Sequence, residues 1–258
     1  MHITSEPAIL YLGTPVVLIS TVNEDGSYNL APMSSAFWLG WRCMLGLSAV
    51  SKTTHNLLRT RQCVLNLPSE SEVTAVNRLA RTTGSNPVPE VKVKRGYRYH
   101  KEKFALCGMT PVRSQTVDAP RALQCPIQLE AVIEATHPLA QMDESLRGRI
   151  LVFEARVQRV HIEESLLAEG EPNRIDPDKW RPLIMSFQRF YGLTPQQLHE
   201  STLAKIPESA YRSPDVEKGR LTTSQHRSMT APQSSEISAQ KLITGTCPES
   251  QALVECAT

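Results

Sequence analysis

No apolar run in this 258-residue chain approaches the roughly 18 residues that a membrane span requires. The stretch from Met1 to Pro7 lacks the basic and apolar regions of a secretory leader, so the expected setting is the cytoplasm, with no membrane involved. There is no C-x-x-C pair among Cys43, Cys63, Cys107, Cys125, Cys247 and Cys256, which argues against a zinc site or a disulfide framework and leaves reduced, mostly buried thiols as the expectation. His55, His100, His137 and His161 each lack a second ligand-type residue at ligand spacing, so none is assigned to metal. Charge of one sign is also missing in excess: a formal net charge of +2 gives no reason to expect a nucleic-acid partner.

What is present is the composition of a globular protein, 40% hydrophobic and 21% charged, with enough length for one sizeable core or one domain with appendages. Apolar runs and turn signals alternate from Leu10 to Tyr211. Beyond Ser213 the chain becomes rich in Ser, Thr, Gln and Glu without sustained periodicity. The predicted organisation is a domain over residues 1–212 and a low-complexity tail over 213–258, disordered or loosely draped because it has too little apolar surface to offset ordering entropy. A short helix over Ile237 to Ile243 is the only regular element considered there.

Strands dominate the first part. Val16 to Val22 is a continuous β-branched and apolar run, as in a strand covered on both faces, and Asn23-Glu24-Asp25-Gly26 supplies a tight hairpin. The return strand, Tyr28 to Phe37, contains Pro32, which removes a ladder donor and predicts a bulge or an edge. Met44 to Ala49 and Cys63 to Leu67 flank a helix over Thr53 to Thr60. Ser69-x-x-Glu72 reads as a capping box opening a helix through Leu79. Ile127 to Thr136 and Arg149 to Ile162 are longer strands, the second with Leu151, Phe153, Ala155 and Val157 on a core face and Glu154, Arg156 and Gln158 on a wet one. Many antiparallel strands with few helices predict a mainly β fold, a small barrel rather than a doubly wound sheet.

Two segments carry chemistry. In Ser51-Lys52-Thr53-Thr54-His55-Asn56-Leu57, Ser51 is a good N-cap and the next residues sit where helical N–H groups lack partners. Such a turn can hold a phosphate ester or be an ordinary capped helix with a solvated lysine. Upstream, Asn29 to Phe37 mixes small residues, hydroxyls and a proline. Small side chains let a flat ring lie against the backbone, so Pro32, Met33, Ser34 and Ser35 can meet the edge of an isoalloxazine, a pterin or a haem, or form a bulged edge without a ligand.

Taken in order, Thr14-Pro15-Val16-Val17-Leu18-Ile19-Ser20-Thr21, Asp25-Gly26, Asn29-x-Ala31-Pro32-Met33-Ser34, Ser51-Lys52-Thr53-Thr54-x-Asn56-Leu57 and Val64-Leu65-Asn66-Leu67-Pro68 resemble the flavin reductase-like family, of the flavoredoxin and NAD(P)H:flavin oxidoreductase type. Gly108-Met109-Thr110-Pro111-Val112-x-Ser114 and Pro120-Arg121 to Pro126-Ile127-Gln128-Leu129-Glu130 resemble its longer members. The resemblance covers Pro15 to Glu130 well, weakens to Arg212 and stops at the tail.

It implies an antiparallel Greek-key split β-barrel that binds FMN, with the phosphate on Ser51, Lys52, Thr53 and Thr54, Asn56 near the phosphate or ribityl end, and the ring along Pro32 to Ser35. Ser34 or Ser35 would then contact the N5 and O4 edge. It further implies a homodimer, a small-molecule substrate or electron-acceptor protein as partner, and NAD(P)H as possible co-substrate. With no G-x-G-x-x-G after a strand, a nicotinamide cofactor would stack on the flavin instead. The implied function is an NAD(P)H-dependent flavin reductase, with a flavin carrier or a specialised flavoenzyme acting on an organic substrate as alternatives. Trp180 to Gly192 is a candidate wall or cover for the ring, or else core or dimer packing. The basic stretch Lys92, Lys94, Arg95, Arg98, Lys101 and Lys103 is a candidate for steering phosphates, though a solvated loop or dimer surface is favoured.

Overall fold

The computed structural model describes residues 1–230. Its frame is one antiparallel sheet of seven strands: β1 (Val17–Val22), β2 (Tyr28–Met33), β3 (Ala36–Leu39), β4 (Arg42–Ser48), β5 (Gln62–Leu67), β6 (Ile127–Pro138) and β7 (Ile150–Ile162). Their order is β2-β1-β5-β6-β7-β4-β3. The two edges, β2 and β3, are consecutive in sequence and separated only by Ser34 and Ser35, so the sheet must curl until its ends meet. That is a barrel with a seam, the fold expected. The single predicted strand from Tyr28 to Phe37 is therefore two strands, parted where the chain crosses the seam, and Pro32 lies on a sheet edge as its missing N–H requires.

The β1–β2 hairpin turns on Gly26, whose φ of 80° is open to glycine without strain. β1 is buried on both faces. Val17 and Ile19 join Leu45, Leu47, Leu65 and Phe153 inside the barrel, while Val16 and Leu18 join Leu30, Val76, Leu79 and Phe104 outside it. That outer cluster is covered by the helices α2 (Val73–Arg78) and α3 (Lys103–Cys107). The Ser69–Glu72 capping box forms as predicted but opens a 3-10 turn, Glu70–Glu72, that leads into α2. In β7, Phe153, Ala155 and Val157 are buried and the intervening Glu154 and Arg156 are half-buried. The helix beside the phosphate-type turn, α1, spans Lys52–Thr60.

Within the span predicted as a tail, residues 214–230 are helical, and 231–258 lie outside the described residues. A helix, α4 (Pro214–Thr230), packs on β7. Its Asp215 is buried and forms an ion pair with Arg42 at 2.8 Å, and Gly219 lies so close to β7 that a Cβ there would stand 2.6 Å from the Gln158 carbonyl oxygen. Composition concealed this because, among its described residues 214–222, the helix docks through an ion pair and a glycine contact rather than through an apolar stripe. Ile237 to Ile243 lies outside the described residues, as do Cys247 and Cys256. The other four cysteines are free and buried; burial pushes the Cys43 thiol up to about 12.

Candidate functional site

α1 begins where β4 ends, and the polar turn between them is built as a cap. Ser51 Oγ accepts the Thr54 N–H at 3.0 Å and donates to Thr54 Oγ1 at 2.8 Å; Thr54 in turn donates to the Ser48 carbonyl at 2.8 Å. The His55 N–H is taken by the Ser51 carbonyl. Lys52 and Thr53 thus contribute the two first-turn N–H groups that lie outside this cap. Thr53 Oγ1 accepts from Asn29 Nδ2 at 3.1 Å, and its own proton has no acceptor among the described residues. Lys52 is ion-paired with Glu24 from the β1–β2 hairpin, and that bond is the main cause of a Glu24 carboxyl held below its usual range.

The candidate residues therefore divide. Lys52 is half-buried and Thr53 only 2% exposed, and both carry donors outside the cap. Thr54 and Asn56 are fully buried, and Asn56 Nδ2 is shared between Thr21 Oγ1 and Asn23 Oδ1, each at 2.9 Å. Thr54 Oγ1 and Asn56 Nδ2 hold the turn against β4 and β1, whereas Asn56 Oδ1 is buried without a partner among the described residues. Ser51 likewise acts through the cap. His55 is exposed on the outer face of α1. Along the seam, Pro32, Met33 and Ser34 are half-buried and Ser35 is exposed, forming an accessible strip of small or unbranched side chains. Gly46 of β4 sits against it, with its N–H bonded to the Ser35 carbonyl at 2.9 Å; a Cβ there would lie 3.4 Å from that of Ser35.

A second loop closes on the turn. Gly84 packs onto Lys52 and Asn29, and a Cβ there would fall 2.8 Å from Asn29 Oδ1. Asn29 Oδ1 and the Ser85 hydroxyl are buried without hydrogen-bond partners, an arrangement that costs free energy unless a ligand or water satisfies it. Close by, Thr83 accepts from Lys92 Nζ at 3.3 Å. Lys92 neighbours Lys103, which is only 3% exposed and whose pKa is pushed down to about 7 by burial and by the Lys92 charge. Among the described residues no carboxylate pairs with Lys103. The expectation of a wholly solvated basic stretch is thus corrected at Lys92 and Lys103, while Lys94, Arg95, Arg98 and Lys101 are exposed. The spacing Lys103, Phe104, Cys107, all buried on α3, was the available signal.

Sequence reasoning also missed a pairing across β6 and β7. Buried Glu130 contacts His161 Nε2 at 2.7 Å and accepts from the Gln115 N–H at 2.8 Å and the Thr116 N–H and hydroxyl at 2.6 Å. Burial opposes its ionisation, yet these bonds hold its pKa below the usual value. Among the described residues no cluster of His, Cys, Asp or Glu is arranged to hold a metal. Of the Trp180 to Gly192 aromatics, Trp180 and Phe190 pack against the two cores, and Phe187 and Tyr191 are exposed. Phe187 and Gln188 form the tight turn between the strands Ile184–Ser186 and Arg189–Tyr191.

The flavin reductase like domain model matches residues 10–194. The chain belongs to that family. It is 37% identical over 188 residues, 73% of this chain and 87% of the other, to the uncharacterized protein YdfE of Bacillus subtilis (strain 168). Flavoredoxin of Desulfovibrio vulgaris (Miyazaki F) superposes with a TM-score of 0.61 at 20% identity, over 78% of this chain and 99% of that one. Component B of nitrilotriacetate monooxygenase from Bacillus cereus gives 0.59 at 21% identity, over 73% and 88%, and a Shewanella frigidimarina protein with a split barrel domain gives 0.57 at 16%, over 73% and 85%. The fold is the split barrel, and family membership makes the chain a flavin-dependent oxidoreductase. The residues present suit a flavin: two N–H donors, a free hydroxyl proton and a lysine at one end, unsatisfied buried polar atoms beside them, and an open small-residue strip on the seam. No described helix is long and apolar enough to cross a membrane.

Proposed function

We propose that this protein is an NAD(P)H-dependent flavin reductase whose flavin is FMN, held with its phosphate at the first turn of α1. The observation that carries the reading is the division of labour in that turn. Ser51, Thr54 and Asn56 fix the backbone, so Lys52 and Thr53 keep N–H groups and a hydroxyl proton for an anion, with the Lys52 ammonium available on exchange from Glu24. A cap that merely ended a helix would not need Gly84 and buried, partnerless Asn29 Oδ1 beside it.

The Pro32 to Ser35 strip would carry the ring, with Ser34 or Ser35 donating to its N5 and O4 edge. Bound flavin supplies the hydride chemistry; the chain positions it, sets its electrostatics and leaves one face open to a nicotinamide. The protein would act as a cytoplasmic homodimer. Support comes from exposed Leu10, Tyr11, Leu12, Phe37, Leu39 and Phe187, several of which adjoin: the Phe187 N–H is bonded to the Tyr11 carbonyl at 2.8 Å, and Thr14–Pro15 packs beside β3. Such a face suits a self-complementary interface.

The test has two stages. The purified protein should show flavin absorption or take up added FMN, and a colourless protein that binds none would overturn the cofactor. Anaerobic NADH or NADPH should then bleach the bound flavin rapidly. A flavin indifferent to both would instead mark a carrier or an enzyme acting directly on an organic substrate.

A further inference from the structure

Behind the Thr83–Ser85 loop lies an open cavity of about 600 Å³ lined by Arg78, Arg81, Arg98, Tyr97, Tyr99 and His100. Its floor is a short parallel pair, Thr82 with Arg98 and Thr83 with Tyr99, secured by the Arg98 N–H to the Arg81 carbonyl at 3.0 Å and the His100 N–H to the Thr83 carbonyl at 2.9 Å. Three guanidinium groups therefore share one concavity, and among the described residues no carboxylate pairs with any of them. The nearby acids Glu90 and Asp25 are taken by Lys94 and Lys101. His100 Nδ1 is buried here without a partner.

Arg78, Arg81 and Arg98 are exposed, and their shared, uncompensated charge draws an anion to the concavity. Arginine favours the planar, two-oxygen geometry of phosphate, and two tyrosine rings beside the guanidinium groups offer stacking faces to a base. A cavity of this size suits a small ligand. It also adjoins the flavin-type turn. Lys92 lies 5.7 Å from the centre of the Tyr97 ring while bonding Thr83, and Gly84, one residue further, rests on Lys52.

We infer that this cavity binds the phosphate and base of an adenine nucleotide, distinct from the flavin phosphate at α1. Its ligand is either the adenosine-phosphate half of the nicotinamide dinucleotide or a free nucleotide; the first source rests on the reductase reading, and the site itself does not. The test titrates flavin-loaded protein with 2′,5′-ADP by calorimetry, in the native chain, the double variant Arg81→Gln and Arg98→Gln, and the single variant Arg78→Gln. Saturable binding to the native chain, weakened at least about tenfold in the double variant with its flavin content unchanged, supports the site. A double variant that fails to fold passes the question to Arg78→Gln, which lies at the exposed end of α2 and should weaken binding about threefold or more.

Absence of binding to the native chain, or binding indifferent to the substitutions, overturns the inference. Steady-state kinetics on the same variants separate the sources. A KM for NADH or NADPH raised tenfold at unchanged kcat identifies the dinucleotide. An unchanged KM with lost 2′,5′-ADP binding identifies a free nucleotide. If neither dinucleotide reduces the flavin, the reductase reading fails while the calorimetric result still stands.

Discussion

Lys52 at the start of α1 is ion-paired with Glu24 at the tip of the β1–β2 hairpin. The carboxylate occupies the cation that an incoming phosphate would use, so the two compete. Glu24→Gln should tighten FMN binding about two- to five-fold, the worth of one exposed ion pair, measured by fluorescence quenching on reconstitution. Weaker binding in this variant would show that Glu24 orients Lys52 rather than opposing the ligand.

The converse change removes donors. Replacing Lys52 and Thr53 together by alanine eliminates the ammonium and the free hydroxyl proton while leaving the Ser51 cap intact. FMN affinity should fall by at least about tenfold, with stability lowered by about 1 kcal/mol through loss of the buried Asn29–Thr53 hydrogen bond. Unchanged affinity would place the phosphate elsewhere.

Lys103 is a buried cation without a carboxylate, and its pKa of about 7 fixes the sign of a pH effect. Between that value and the roughly 10.4 of an unfolded lysine, the unfolded chain holds more protons, so stability rises with pH across this window. Lys103→Met removes the burden. It should stabilise the flavin-free protein by about 2–4 kcal/mol at pH 7 and by almost nothing near pH 10. Equal melting temperatures for the two proteins at pH 7 would contradict it.

Glu130 behaves oppositely. Its folded pKa lies below the unfolded value, so the stability it contributes is full above about pH 4.5 and is lost as pH falls through the folded value. Glu130→Ala should cost about 3 kcal/mol or more at pH 7, releasing the Gln115–Thr116 loop from the barrel, and should flatten the acid limb of the stability profile. Denaturant titrations from pH 7 to pH 3 check both.

For α4, a chain ending at Arg212 forfeits the Arg42–Asp215 pair and uncovers the wall of β7. Its melting temperature should drop by roughly 4–8 °C, as for about 2 kcal/mol in a domain of this size. Flavin content should survive, because α4 contributes nothing to the turn or the seam. Gly219→Val should reproduce the loss in the full chain.

Much of the barrel was legible because its strands announce themselves: the unbroken run in β1 and the alternation in β7 follow directly from which faces are covered. The seam was half legible. Pro32 signalled an edge, but nothing in Ser34-Ser35 distinguishes a bulge from a crossing between opposite ends of a sheet, since that depends on distant pairing. In the turn, residue types marked the helix cap, yet whether a hydroxyl faces inward or outward is set by tertiary partners such as Ser48 and Thr21. Lys103 and Glu130 were hidden for the same reason. Lys103 sits on a helix packed against β2 and α2, Glu130 lies under the Gln115–Thr116 loop, and charge along a sequence does not show what lies above it. α4 escaped because a docked helix needs little apolar surface when one glycine lets it approach.

The barrel's two edge strands are separated by two residues, whereas β4 pairs with β7, more than a hundred positions later in the chain. Chain entropy makes the distant pairing expensive and the neighbouring one almost free. Folding speed is therefore governed by the β4–β7 pairing. The closing of the ring, although it finishes the architecture, is its least demanding step.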